Sequence, residues 1–298
     1  MAIIPMSAVD IGIDYSRFTP VFAFASGKGG VGKTTLTGNN ATKTASKGIP
    51  TLAIDANGQG NLRREFGIGE GDGGKAFVQA LRDGTPLVPV KNVRPNLDVV
   101  LGGKELRAIN TVFMEIAQES GPIAAFCRLA QCLQPLLNQY GVVWIDAPPE
   151  NPNVLTLCLC ASRWLVTPVK MDVCSLEDAL KDISDTFKAA RSVNPLLQLL
   201  GVVHFGSPSG ATSIHREVVA EARKLLGKST HVFEESIHAS PKTAKLAREL
   251  GLSVWELEAK SREEDKRMAE QISNLAGAHD KLTTALLRQM RARMEITA

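Results

Sequence analysis

The stretch SGKGGVGKTT, Ser26 to Thr35, combines residue types and spacing that can hold a polyphosphate. Gly27, Gly32, Lys33 and Thr34 satisfy G-x-x-x-x-G-K-[ST], with Gly29, Gly30 and Val31 inside the loop and Thr35 just after it. Glycines let consecutive backbone N–H groups turn inward and approach phosphate oxygens closely. The N-terminus of a following helix adds a partial positive charge. In such a cradle Lys33 reaches the β- and γ-phosphates of a nucleoside triphosphate and the Thr34 hydroxyl holds Mg2+. Lys28 is surplus to the pattern, a second lysine at the first variable position of the loop.

Two strand-end carboxylates extend the chemistry. Asp146 closes GVVWID, an apolar run that presents it as a Walker B aspartate to Mg2+, often through water. Asp55 closes TLAID and would face the same metal, with Asn57 and Gln59 on the adjoining loop. An aspartate at a strand end also serves as a turn or cap residue; the neighbouring phosphate loop favours the metal role.

The elements that must position these residues are legible as patterns. VFAFAS, TLAID, NLDVVLGG, GVVWIDAPP, RWLVTPV, LQLLGVVHF and HVFEE read as strands. KTTLTGNNATKTASKG, KAFVQALRDG, KELRAINTVFMEIAQ, PIAAFCRLAQCLQPLLNQY, LEDALKDISDTFKAARS and SIHREVVAEARKLLG read as helices, and residues 261–294 as one or two more. GQGNLRREFG and GIGEGDGG read as loops. Unbroken apolar strands alternating with helices imply an α/β fold: a doubly wound, mainly parallel sheet with helices on both faces. Ligands of such sheets bind at the carboxyl ends of the strands, where the loop, Asp55 and Asp146 lie.

Composition agrees. The 298 residues carry a net charge of +3 and are 44% hydrophobic, ordinary for a globular domain. There is no continuous transmembrane run, and the N-terminus lacks the basic region and apolar core of a signal peptide. The five cysteines, Cys127, Cys132, Cys158, Cys160 and Cys174, show no C-x-x-C spacing and read as reduced core residues of a cytosolic protein.

Lys28-Gly29-Gly30-Val31-Gly32-Lys33-Thr34-Thr35 resembles the deviant Walker A loop of the ParA/MinD family of ATPases. IDANGQGN resembles that family's switch I segment, D-x-D-P-Q-G-N, and the WIDAPP block its Walker B strand. FEESIHASPKTAKLARELGLSVWELEAKS is similar to its C-terminal strand-helix stretch. The match runs from about Val21 to Ser261 and places the blocks in the family's order. It implies an ATPase domain over residues 21–260; outside the match, residues 1–20 read as an N-terminal arm and residues 261–298 as a helical extension expected to pack on that domain. It implies ATP and Mg2+ as cofactors, hydrolysis to ADP and phosphate, and an ATP-dependent homodimer. In that dimer Lys28 reaches across to the partner's nucleotide, which gives the surplus lysine its purpose.

One departure matters. Asn57 stands where the family has its second switch aspartate, and Gly58 where it has proline. An amide can orient water but is a poor proton acceptor, so hydrolysis is expected to be slow, with Gln59 as a substitute for orienting water.

ParA-type relatives bind DNA without sequence preference. Lys242, Lys245 and Arg248 share an arc of one helix and could touch successive phosphates; a solvated helix face is the plain alternative. The last helix repeats Leu282, Leu286, Met290 and Met294 beside basic residues. It lacks the aromatic anchors of a membrane-binding helix, so packing or dimer contact is expected in place of a membrane. The leading expectation is a cytoplasmic, nucleoid-associated ATPase that partitions a plasmid, chromosome region or other cargo with a ParB-like adaptor. A sequence-reading DNA domain ahead of Val21 is not expected. The competing readings are an ATP-gated binding module with little catalysis, a MinD-like membrane-associated ATPase, and an iron-sulfur reductase of the same superfamily.

Overall fold

A computed structural model of the chain describes residues 11–149, 151–170, 173–207 and 212–297. β1 (Val21–Phe24) leads through the glycine loop into α1 (Lys33–Ser46), and Gly48-Ile49-Pro50 turns the chain into β2 (Thr51–Asp55). The short α2 (Leu62–Glu65) and α3 (Lys75–Asp83) follow, the latter closed by Gly84 in the left-handed conformation. β3 (Val90–Arg94) and β4 (Leu97–Val100) precede α4 (Ile109–Ser120) and α5 (Pro122–Leu133), which starts on a proline that needs no N–H partner. Then come β5 (Val142–Asp146), α6 (Pro152–Cys160), β6 (Trp164–Val169), α7 (Val173–Val193) and β7 (Gln198–Ser207). α8 (Thr212–Leu226), β8 (Ile237–His238), α9 (Pro241–Leu250), α10 (Val254–Glu264) and α11 (Lys266–Thr297) complete the chain.

The strands form one eight-stranded sheet in the order β3-β4-β2-β5-β1-β6-β7-β8, parallel throughout except for the antiparallel β3–β4 pair. The unbroken apolar strands arise because each is covered twice. Val21, Ala23, Leu52, Ile54, Val143 and Ile145 point to the face packed by α3 to α7. Their alternates, Phe22, Phe24, Ala53, Val142 and Trp144, point to the face packed by α1, α10 and α11. Trp144 stacks against Phe24 at 5.5 Å and gives its indole N–H to Thr44 Oγ1 at 3.3 Å.

α1 is sparse in large apolar residues because it lies between the sheet and the C-terminal helices, where small polar side chains fit. Thr42 and Thr44 return their hydroxyls to carbonyls of the preceding turn, so their burial leaves no orphaned donor. Asn39 accepts from the Val254 N–H at 2.9 Å, and Trp255 donates to Thr42 at 3.2 Å, fixing α10 against the helix that begins at the phosphate loop.

α11 buries Leu282 and Leu286 completely in the same core, at about 1.5–3 kcal/mol each. Met290 packs at its margin and Met294 is exposed. The apolar stripe of this helix therefore faces the sheet. Of the N-terminal arm, residues 1–10 lie outside the described residues. Tyr15 and Phe18 fold back into the core, held by the Gln134 amide donating to the Gly12 carbonyl.

Several elements differ from the sequence reading, among them α6, which shows no amphipathic period because every residue from Val154 to Cys160 is buried. HVFEE is not a strand: Val232 makes one isolated bridge to Val202, and the edge strand is the later Ile237–His238. Pairing there is limited to two backbone bonds, Val202 N–H to the His231 carbonyl and Phe233 N–H to the Val202 carbonyl, with Phe233 packed over Gly201, where any Cβ would strike its ring. GQGNLRREFG contains α2. β3 is an antiparallel edge strand whose exposed, lysine-bearing sequence carries no apolar run to announce it.

Candidate functional site

Gly30 and Gly32 take positive φ angles of 68° and 87°, the backbone bend that only glycine adopts without strain. Gly32 also caps α1, and a Cβ there would collide with the ring of Phe205 from β7. The loop is thus shaped by its own glycines and by a neighbouring strand. Lys33 Nζ donates to the carbonyl of Lys28 at 2.8 Å, holding the ammonium over the cradle. Lys28 contributes that carbonyl, while its half-buried side chain lies outside the lining of the adjoining cavity.

Strand register brings the carboxylates together. β2 and β5 pair with Asp55 directly opposite Asp146, and β1 pairs Phe24 with Asp146, so the Walker B aspartate stands at the exit to the phosphate loop. Thr34 Oγ1 donates to Asp146 Oδ2 at 2.6 Å. Asp146 Oδ1 is buried with no hydrogen-bond partner. A hydroxyl and a carboxylate with an unused, buried oxygen form a hard-donor pair that fits Mg2+. Asp55 is engaged differently: its two oxygens accept the backbone N–H groups of Asn57 and Leu62, each at 3.0 Å. It braces the loop that follows β2.

Burial, reinforced by the charge of Asp55, raises the Asp146 carboxyl, and burial likewise raises Asp55 against the two backbone hydrogen bonds it accepts. The facing pair therefore titrates above the ordinary carboxylate range, so the stability it confers is complete below about pH 4 and is lost as pH rises above that. In EDTA the melting temperature should therefore fall from pH 6 to pH 8, and Asp146→Asn should flatten that slope and raise the value at pH 8. A thermal-unfolding series of both proteins checks this; parallel slopes would contradict it.

Asn57 Oδ1 accepts the Gln59 N–H at 3.0 Å, and Gln59 Oε1 accepts from Asn61 at 2.8 Å. The switch loop thus presents amides, not a carboxylate, to a cavity of about 750 Å³ that opens from the phosphate loop. Lys33, Thr34, Asn57, Lys170, Phe205 and His279 are among its lining.

The structure assigns several residues to the site that sequence reasoning missed. Glu65 of α2 is buried and accepts from Arg248 Nε at 2.9 Å and Thr35 Oγ1 at 3.4 Å. Arg248 Nη2 also donates to Thr35 at 3.2 Å. Burial raises the Glu65 carboxyl, and the Arg248 hydrogen bond and charge oppose that rise. Arg248, grouped by spacing with Lys242 and Lys245, therefore turns to the cavity, while those two lysines stay exposed on α9. No local pattern signals Glu65; its role depends on a partner far along the chain. Lys170 reaches the loop from the end of β6, its Nζ 3.8 Å from where a Gly30 Cβ would stand.

Cys127, Cys132, Cys158 and Cys160 are buried thiols with no disulfide. The side chain of Cys174 lies outside the described residues. Among the described residues no group of three or more His, Cys, Asp or Glu side chains could hold a metal ion, and no helix is long and apolar enough to cross a membrane.

A family model described as an AAA domain matches residues 19–199. The chromosome partitioning protein ParA of Caulobacter vibrioides is 30% identical over 256 residues, covering 77% of this chain and 93% of that protein. The ATP complex of a Cyanothece McdA variant superposes with a TM-score of 0.72 at 18% identity, over 91% of this chain and 96% of the other. The septum site-determining protein MinD of Pyrococcus horikoshii with Mg-ADP gives a TM-score of 0.62 at 19% identity, over 88% and 93%.

Proposed function

The chain belongs to the ParA/MinD-type family of deviant Walker A P-loop ATPases, and from that membership we propose that it is a ParA-like positioning ATPase. It binds ATP with Mg2+, pairs with a second copy across the nucleotide, and in that state holds DNA without sequence preference. The observation that carries this reading is the glycine cradle joined to the Thr34–Asp146 pair, with Asp146 Oδ1 buried and unpaired. ATP, when bound, supplies the γ-phosphoryl group for transfer to water. Lys33 and the loop N–H groups neutralise and orient the phosphates, and Thr34 and Asp146 hold the metal. Lys28, whose side chain does not line its own cavity, serves the partner's nucleotide.

Lys242 and Lys245, exposed on α9, are the proposed phosphate contacts on DNA, with Arg248 linking that helix to Thr35 and Glu65. A salt titration of DNA retention in ATP should have a slope of about −0.9 for each phosphate neutralised, and Lys242→Ala should reduce its magnitude by about one per subunit. A ParB-like adaptor is the proposed stimulating partner. The burial of Leu282 and Leu286 speaks against α11 as a membrane-binding face.

A second reading, an ATP-gated binding module with little catalysis, is favoured by Asn57. Its oxygen is already used to brace Gln59, and no carboxylate replaces it on the switch loop. Asn57→Asp is expected to raise phosphate release on the order of 10²-fold or more, the usual contribution of a positioned acid or base. Equal turnover by the two proteins would remove the case for slow hydrolysis.

A further inference from the structure

Lys170 follows directly on β6, which pairs with β1 and so ends beside the phosphate loop. Its aliphatic stem lies across Gly206 of β7, where a Cβ would meet Lys170 Cε at 3.5 Å and Cγ at 3.8 Å. The stem carries the ammonium to the middle of the loop, with Nζ 3.8 Å from where a Gly30 Cβ would stand. The side chain is exposed and lines the cavity, so a molecule bound there can reach it.

The charges around it are unbalanced. Other lysines have acidic partners: Lys43 and Lys47 share Asp280, Lys91 pairs with Asp98 and Lys224 with Glu221. Lys170 has no ion pair or hydrogen bond among the described residues. The loop after β2 gives Asn57, Gln59 and Asn61 to the cavity, which are amides without charge. Glu65 also lines it but is engaged by Arg248 at 2.9 Å. Lys33, Arg64, Lys170 and Arg248 thus leave the lining with an excess of positive charge, which favours an anionic ligand. We propose that Lys170 is a second lysine of the same chain that binds the phosphates of the nucleotide. Lys33 reaches the loop from the start of α1 and Lys170 from the end of β6, so the two ammonium groups are positioned independently. This rests on the nucleotide-binding reading above.

The test is titration of a fluorescent ATP analogue with Mg2+ into the full chain, Lys170→Gln and Lys170→Arg, at low and at high ionic strength. Lys170→Gln keeps a stem over Gly206 but no charge, and at low ionic strength should bind about tenfold more weakly, as expected for a lost hydrogen bond to a charged group. Lys170→Arg should stay within about threefold of wild type, because the charge and its donors are retained. Added salt should narrow the gap between wild type and Lys170→Gln. Without nucleotide the three proteins should melt together, since no ion pair of the fold is removed. A loss of less than about threefold in Lys170→Gln, the scale of a distant charge in water, overturns this inference alone. So does a Lys170→Arg protein as weak as Lys170→Gln, since the stem and not the charge would then matter. Wild type that binds no nucleotide overturns the proposed function together with it.

Discussion

Lys33→Ala should lose nucleotide on the order of 100-fold, measured by titration with a fluorescent ATP analogue and Mg2+. A hydrogen bond to a charged group contributes up to about 3 kcal/mol, and roughly 1.4 kcal/mol is a factor of ten in affinity. Lys33 can make such bonds to two phosphates at once. In the structure its ammonium rests on the Lys28 carbonyl at 2.8 Å, a partner that phosphate oxygens must displace. The replacement should leave the fold intact. The loop's shape comes from Gly30 and Gly32 and from the Phe205 ring, and α1 is pinned by Asn39, Thr42 and Thr44. An affinity within about threefold of wild type would mean that the cradle does not hold the triphosphate.

Lys28→Ala should act differently. ATP affinity of the single chain should change little, because the Lys28 carbonyl survives the substitution and its side chain does not line the cavity. Turnover should fall on the order of 10³-fold, the lower range for a cation supplied in trans to a phosphoryl-transfer site. The ATP-induced dimer should weaken with it. Steady-state phosphate release beside a binding titration separates the two lysines. Lys33→Ala loses binding, and Lys28→Ala loses turnover with binding retained.

The parts of the site that could be read from the sequence are those determined within a few residues. Gly27 to Thr35 carries its conformation in its own glycines, and the flanking strand and helix follow from adjacent apolar and capping patterns. Asp146 was legible because a buried strand must end where the loop begins. Its 2.6 Å contact with Thr34 was not, since that depends on the pairing of β1 with β5. Asp55 illustrates the limit more sharply. Its position at the strand end was readable, yet its engagement by the Asn57 and Leu62 N–H groups depends on the path of the switch loop. Glu65, Arg248 and His279 were illegible as site residues for a stronger reason. Glu65 meets Thr35 from α2, Arg248 from α9, and His279 lines the cavity from α11, so their grouping depends on packing that no local motif announces. Leu282 and Leu286 showed a stripe, but a stripe does not name the surface it covers; the sheet, through the Trp144 cluster, is the answer.

The most direct test of nucleotide held between two copies is mass in solution, by light scattering, with and without ATP-Mg2+. From 32.0 kDa for one chain, the mass should approach twice that value with ATP-Mg2+, and Lys28→Ala should stay near the single-chain mass. A wild-type mass that does not respond to ATP-Mg2+, or a Lys28→Ala protein that pairs as wild type does, would contradict the account.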